Sequence, residues 1–108
     1  HASHDFTNPQ EKELYNLSYY LKKKKEKGSY KHKGAWGVLD QFIVSGCLLQ
    51  QHSNLYLTPD DCHVFMPDFL LEEDTKYTGK KPFRTFTGYK YNGGFSDHLP
   101  VFIDLKRR

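Results

Sequence analysis

Leu14, Leu17 and Leu21 follow the i, i+3, i+7 spacing that lines up side chains in one narrow stripe of an α-helix. Asn8 suits an N-cap, Pro9 the first helical position, and Glu11 stands three residues past the cap. These signals predict a helix from Pro9 to Lys27. Lys22 to Lys25 and Lys27 crowd its last turns, where cations meet the negative end of the helix dipole, and Gly28 ends it.

Beyond Gly28 the pattern changes to strands. Ser29 to Lys33 and Val38 to Val44 read as two strands joined by a turn through Gly34-Ala35-Trp36-Gly37. Val38, Phe42 and Val44 share a face with Asp40, while Leu39 and Ile43 occupy the other, as in a central strand covered on both sides. Residues 50–61 read as a loop, Cys62 to Met66 as a short strand, and Pro67 to Leu71 as a lead into the acidic patch Glu72 to Asp74. Gly79 to Pro82 is expected to turn, Phe83 to Tyr91 to be extended, and Asn92-Gly93-Gly94 to turn again. Leu99, Val101, Ile103 and Leu105 alternate with other residues as a strand does. The fold expected is α/β: one long N-terminal helix packed on a mostly antiparallel sheet.

Composition narrows the picture. The 108 residues make at most one domain, and with 37% hydrophobic and 16% aromatic content the apolar surface leans on Phe and Tyr. A net charge of +3 permits an anionic partner without marking a dedicated nucleic-acid binder. The lysine run reads as a solvated helix end. Cys47 and Cys62 have neither CxxC spacing nor the density of a disulfide framework, and Asp61-Cys62-His63 lacks a second ligand pair at zinc-site spacing. No apolar run approaches the ~18 residues of a membrane span and no signal-peptide pattern opens the chain, so a soluble protein is expected and its localisation stays open. His1 stands where an initiator Met is expected, which suggests an upstream segment, an export signal included.

Candidate chemistry is concentrated in Phe95-Ser96-Asp97-His98-Leu99-Pro100-Val101. There a carboxylate stands beside an imidazole. A carboxylate in the apolar run around Asp40 needs a cationic or hydrogen-bonding partner, and His98 is the candidate. Such a pair serves acid–base chemistry, because the carboxylate fixes the imidazole tautomer and stabilises its cation. Asp97 adds a second carboxylate able to meet a hard divalent cation. Trp36, Tyr89 and Tyr91, with Lys90, mix aromatics and a cation as a phosphate-ligand cleft does, although strands use the same residues for packing. Ser45 and Ser96 lack a nucleophile-elbow setting, which argues against a serine hydrolase.

Leu39-Asp40-Gln41-Phe42-Ile43-Val44-Ser45 and the terminal Ser96-Asp97-His98-Leu99-Pro100-Val101 resemble, in order, two elements of the endonuclease/exonuclease/phosphatase superfamily of metal-dependent phosphoesterases. Gly28-Ser29-Tyr30-Lys31 with Trp36 to Gln41, and Lys81-Pro82-Phe83-Arg84-Thr85 ahead of Gly88-Tyr89-Lys90-Tyr91, are similar to a bacterial branch of it. The resemblance implies that His98 acts on the scissile phosphate or activates water, that Asp40 orients His98, and that Asp97 helps hold Mg2+ or Mn2+. It implies a phosphate-containing substrate, whether nucleic acid, lipid headgroup or small phosphoester. Nothing here matches the superfamily's Asn and Glu metal ligands, its other catalytic His or its Asp-x-Asn segment. Residues 1–108 are therefore expected to be the C-terminal portion of a four-layered α/β sandwich whose N-terminal half is absent, inactive alone and prone to self-association through uncovered sheet. The alternative from another class is a non-catalytic binding module for nucleic acid or other phosphate-bearing ligands.

Overall fold

Leu14 points out and Tyr15 points in, and that period of two, not the helical stripe, governs the N-terminal region. In the computed structural model, which describes residues 2–23, 28–50 and 52–108, Ala2–Ser3 (β1) runs parallel to Leu14–Asn16 (β2). Leu14 is 48% exposed and Tyr15 2%, as neighbouring strand positions should be. The Tyr15 hydroxyl accepts from the Gln10 amide at 2.7 Å and donates to Glu13 at 3.2 Å, knitting this stretch into a turn. The long helix predicted from Pro9 is thus corrected to Ser18–Lys23 (α1), and Lys24 to Lys27 lie outside the described residues. Backbone pairing wins over local propensity here: Leu17 N donates to the Phe42 carbonyl at 2.8 Å, in register with the strand that follows Phe42.

Tyr30–His32 (β3) and Ala35–Gly37 (β4) form a hairpin whose two-residue turn is Lys33-Gly34, both at positive φ (48° and 83°). The expected turn at 34–37 is therefore mostly strand. Ile43–Ser45 (β5) lies antiparallel to β2 and completes a three-stranded sheet, β1-β2-β5. Residues 38–42, expected as a central strand, are irregular, because their backbone groups go to side chains and to α1's entry: Ser18 Oγ donates to the Asp40 carbonyl at 3.0 Å and accepts from Phe42 N at 2.8 Å.

After Gly46–Leu49 (α2) come Leu55–Tyr56 (β6), Cys62–Val64 (β7), Leu71–Glu73 (β8), Lys80–Pro82 (β9), Phe86–Thr87 (β10), Lys90–Tyr91 (β11), Val101–Ile103 (β12) and Lys106–Arg107 (β13). They pair antiparallel two by two, as β6–β13, β7–β12, β8–β9 and β10–β11. The loop expected over 50–61 contains a strand and a 3-10 turn at Pro59–Asp61, and the turn expected at 79–82 is largely β9. The α/β expectation of a long helix on one sheet is overturned: the chain is mostly β-strands in small sheets, with two short helices among the described residues.

The core gathers Tyr15, Leu17, Leu21, Val44, Leu49, Leu57, Cys62, Val64 and Leu99. Leu99 places the residue after His98 at the bottom of that core. Cys47 and Cys62 are not joined in a disulfide. No described helix is long and apolar enough to cross a membrane.

Candidate active site

His98 is held from below and from one side. Leu99 N donates to the Ser29 carbonyl at 2.7 Å, and Tyr30 and His98 form an antiparallel bridge, so the Asp97–Leu99 segment continues the edge of β3. Gly28 lets the chain enter β3 closely; a Cβ there would collide with the Gly37 carbonyl. The Asp40 loop is clamped by two buried serines, Ser18 through its bonds at Asp40 and Phe42, and Ser29, whose hydroxyl accepts from Asp40 N at 3.3 Å. Both clamps converge on one contact: His98 Nδ1 lies 2.8 Å from Asp40 Oδ2.

Each of these two side chains is 36% exposed, so the pair is open to solvent and to a ligand. Burial pushes the Asp40 carboxyl up, but the hydrogen bond from Ser29, the one from His98 and the charge of His98 together hold it below the usual 3.8. An ionised Asp40 accepts from Nδ1–H, an arrangement that leaves Nε2 as the nitrogen able to give or take a proton. Nε2 makes no hydrogen bond among the described residues. The Tyr30 ring packs 5.0 Å from the imidazole, tilted 47°. A hollow of about 320 Å3 opens here, lined by Asp40, His98, Phe95 and Ser96 among others.

Asp97 is exposed and lines an adjoining hollow of about 340 Å3 with Arg84, Phe86, Phe95 and Ser96. Among the described residues no group of three or more His, Cys, Asp or Glu side chains converges. Asp97 therefore belongs to no such group, and the described residues by themselves do not fit Mg2+, which demands near-octahedral oxygen coordination.

Of the three aromatics expected at the substrate, Tyr89 and Tyr91 share one hairpin and Trp36 lies on another. Trp36 on β4 is half-buried against the core, with the Lys31 ammonium 5.7 Å from its ring. Tyr89 stands fully exposed at the β10–β11 tip, and Tyr91 is exposed and packs edge-on against Phe86 at 5.6 Å. That hairpin springs from the wall of the site, since Asn92 N donates to Thr85 O at 2.7 Å and Phe95 N to Phe83 O at 2.7 Å. Ser18, Ser29, Tyr30 and Arg84 were not singled out in the sequence. Ser18 was hidden by the helical reading of its segment, while the other three lie inside Gly28-Ser29-Tyr30-Lys31 and Lys81 to Thr85, where the resemblance was noted without roles.

A carboxylate-oriented histidine with an unengaged Nε2 in an open hollow has the groups that acid–base chemistry requires. The family model of the endonuclease/exonuclease/phosphatase family matches residues 2–107, and the chain belongs to that family. Its members are generally hydrolases of phosphate-bearing substrates and generally depend on divalent metal. No curated protein and no solved structure matches the chain.

Proposed function

We propose that the domain carrying this chain hydrolyses a phosphoester, with His98 as its acid–base group. In this reading water attacks phosphorus, the P–O ester bond breaks, and Nε2 exchanges a proton with the entering or leaving oxygen. Asp40 orients the ring and stabilises the imidazolium, which makes it a positioning residue, while Tyr89 and Tyr91 on the neighbouring hairpin are assigned to substrate contact. The observation that carries the reading is the 2.8 Å contact between His98 Nδ1 and Asp40 beside an unengaged Nε2.

The same reading assigns Asp97 one oxygen toward Mg2+ or Mn2+, with the remaining ligands supplied from outside the described residues. The chain then forms one wall of a divided site, and the apolar faces left uncovered favour self-association when it is isolated.

The test is hydrolysis of bis-p-nitrophenyl phosphate with Mg2+ by the full-length protein and by the 108-residue chain. In the full-length protein His98→Ala should lower kcat about 10²- to 10⁴-fold, and Asp40→Asn should lower it while shifting the pH profile. Turnover untouched by His98→Ala would overturn the role given to His98, and phosphate binding with no turnover at all would favour a non-catalytic phosphate-binding module. His98-dependent turnover by the chain alone would overturn the divided site.

A further inference from the structure

Arg84 stands between two hollows. It lines the one that holds Asp97, and it also lines a second, of about 140 Å3, shared with Lys31, Lys33, Lys76, Lys81 and Asp74. That second hollow has room for a tetrahedral oxyanion with bound water.

Its charges are not evenly matched. The Lys31 ammonium is buried and fully engaged, 2.8 Å from Asp74 Oδ2 and donating to the carbonyls of Thr78 at 2.7 Å and Lys80 at 2.9 Å. The other Asp74 oxygen accepts from Tyr77 N at 3.0 Å, so that carboxylate is occupied too. Lys81 faces Glu72 at 3.7 Å. Lys33, Lys76 and Arg84 have no carboxylate within ion-pair distance among the described residues. The three therefore leave an uncompensated positive field over the hollow.

Two details point the same way. Lys33 holds φ 48°, in a hairpin position that Asn or Gly fills with less strain, so a cation stands where the backbone favours another residue. Gly34 keeps the hollow's wall open, because a Cβ there would lie 2.9 Å from the Tyr77 ring. The link to His98 is short: the Arg84 guanidinium carbon is 5.7 Å from the Tyr30 ring, and that ring lies 5.0 Å from the His98 imidazole.

We propose that Lys33, Lys76 and Arg84 form an anion subsite that holds a second, non-scissile phosphate of the substrate. The identity of that ligand rests on the phosphoester reading; the positive subsite itself does not. A substrate spanning both places carries at least two phosphates one aromatic ring apart. Because the remote phosphate stays bound throughout the reaction, the subsite contributes mainly uniform binding, so its loss raises KM more than it lowers kcat.

The experiment is equilibrium binding to the full-length protein of two probe pairs, a trinucleotide with and without a 5′-phosphate, and inositol bisphosphate against monophosphate, over a range of salt. The added phosphate should tighten binding several-fold in one pair, which names the source as nucleic acid or lipid headgroup. Lys33→Gln with Lys76→Gln should remove that gain and make the salt dependence shallower by about one per lysine. Both lysines are exposed, so the variants should fold; Arg84→Lys, which keeps the charge but loses the planar fork, should lose part of the gain. No gain from the added phosphate in either pair, or a gain that survives the double substitution, would overturn the subsite. Since the readout is binding, His98→Ala separates the two readings: it should abolish turnover yet keep the phosphate-dependent gain, and unchanged turnover would sink the catalytic role while leaving the subsite to stand on the lysine variants.

Discussion

Ser29 links two roles in one hydroxyl. It closes the Asp40 loop by accepting from Asp40 N and lowers the Asp40 carboxyl by hydrogen bonding, while its carbonyl seats Leu99 beneath His98. Ser29→Ala should remove both roles of the hydroxyl and keep that of the carbonyl, costing about 1–2 kcal/mol in denaturant unfolding as buried polar groups lose a partner. The Asp40 carboxyl should then titrate higher, a shift readable by NMR. Two carboxylates give the sign of the pH dependence. For Asp40 the opposing terms were given above; for Asp61 burial again pushes up, and the Thr58 amide at 2.8 Å and Lys106 at 3.1 Å outweigh it. Both folded values lie below the ordinary 3.8, so their stabilisation is present above that pH and is lost as pH falls through the folded values. Thermal melts should hold level down to about pH 4 and drop below it, and Asp40→Asn should flatten part of that drop.

At the scale of elements, β3 is tied to the β8–β9 hairpin by the buried ion pair of Lys31 and Asp74. Asp74→Asn leaves an ammonium enclosed without its counter-charge and should lower the thermal midpoint by several degrees; pairing it with Lys31→Met should recover much of the loss, because the lone charge is then gone. Such links explain what could be read from the sequence and what could not. The Asp40–His98 contact was legible because a carboxylate in an apolar stretch and an imidazole before a strand each call for a partner. The helix over Pro9 to Lys27 was misread because three leucines at helical spacing also fit a strand, a turn and one short helix in succession, and only pairing with β5 decides between them. The strand through Asp40 failed for a related reason, since Ser18 and Ser29 supply the hydrogen bonds a neighbouring strand would have given. Strand partners such as β6 with β13 left no local trace at all, as register across distant segments is settled by tertiary packing.

Over the whole molecule, the radius of gyration is 16.3 Å, against about 13 Å for a compact chain of this length. Aromatic rings are left on the outside. Phe102, Phe65, Phe69 and Phe95 follow one another at centroid spacings of 6.4, 6.4 and 5.7 Å, all of them exposed. A continuous apolar row of this kind is where the proposed self-association would begin. Sedimentation of the isolated chain should show mass rising with concentration, and Phe65→Ser with Phe69→Ser should restore the monomer; a clean monomer at high concentration without those changes would count against it.

The pairing of distant segments also has a consequence in time. Asp40 and His98 are 58 residues apart, and β13 closes onto β6 only with the last residues of the chain, where Arg108 N reaches Asn54 O at 3.1 Å. A ribosome adding about 5–20 residues per second makes the Asp40 loop several seconds before the histidine that partners it. During that interval the N-terminal sheet can form, but the charge pair cannot. The nascent chain therefore holds the Asp40 loop before the imidazole that meets it, and a truncation ahead of His98 would leave Asp40 without its 2.8 Å partner.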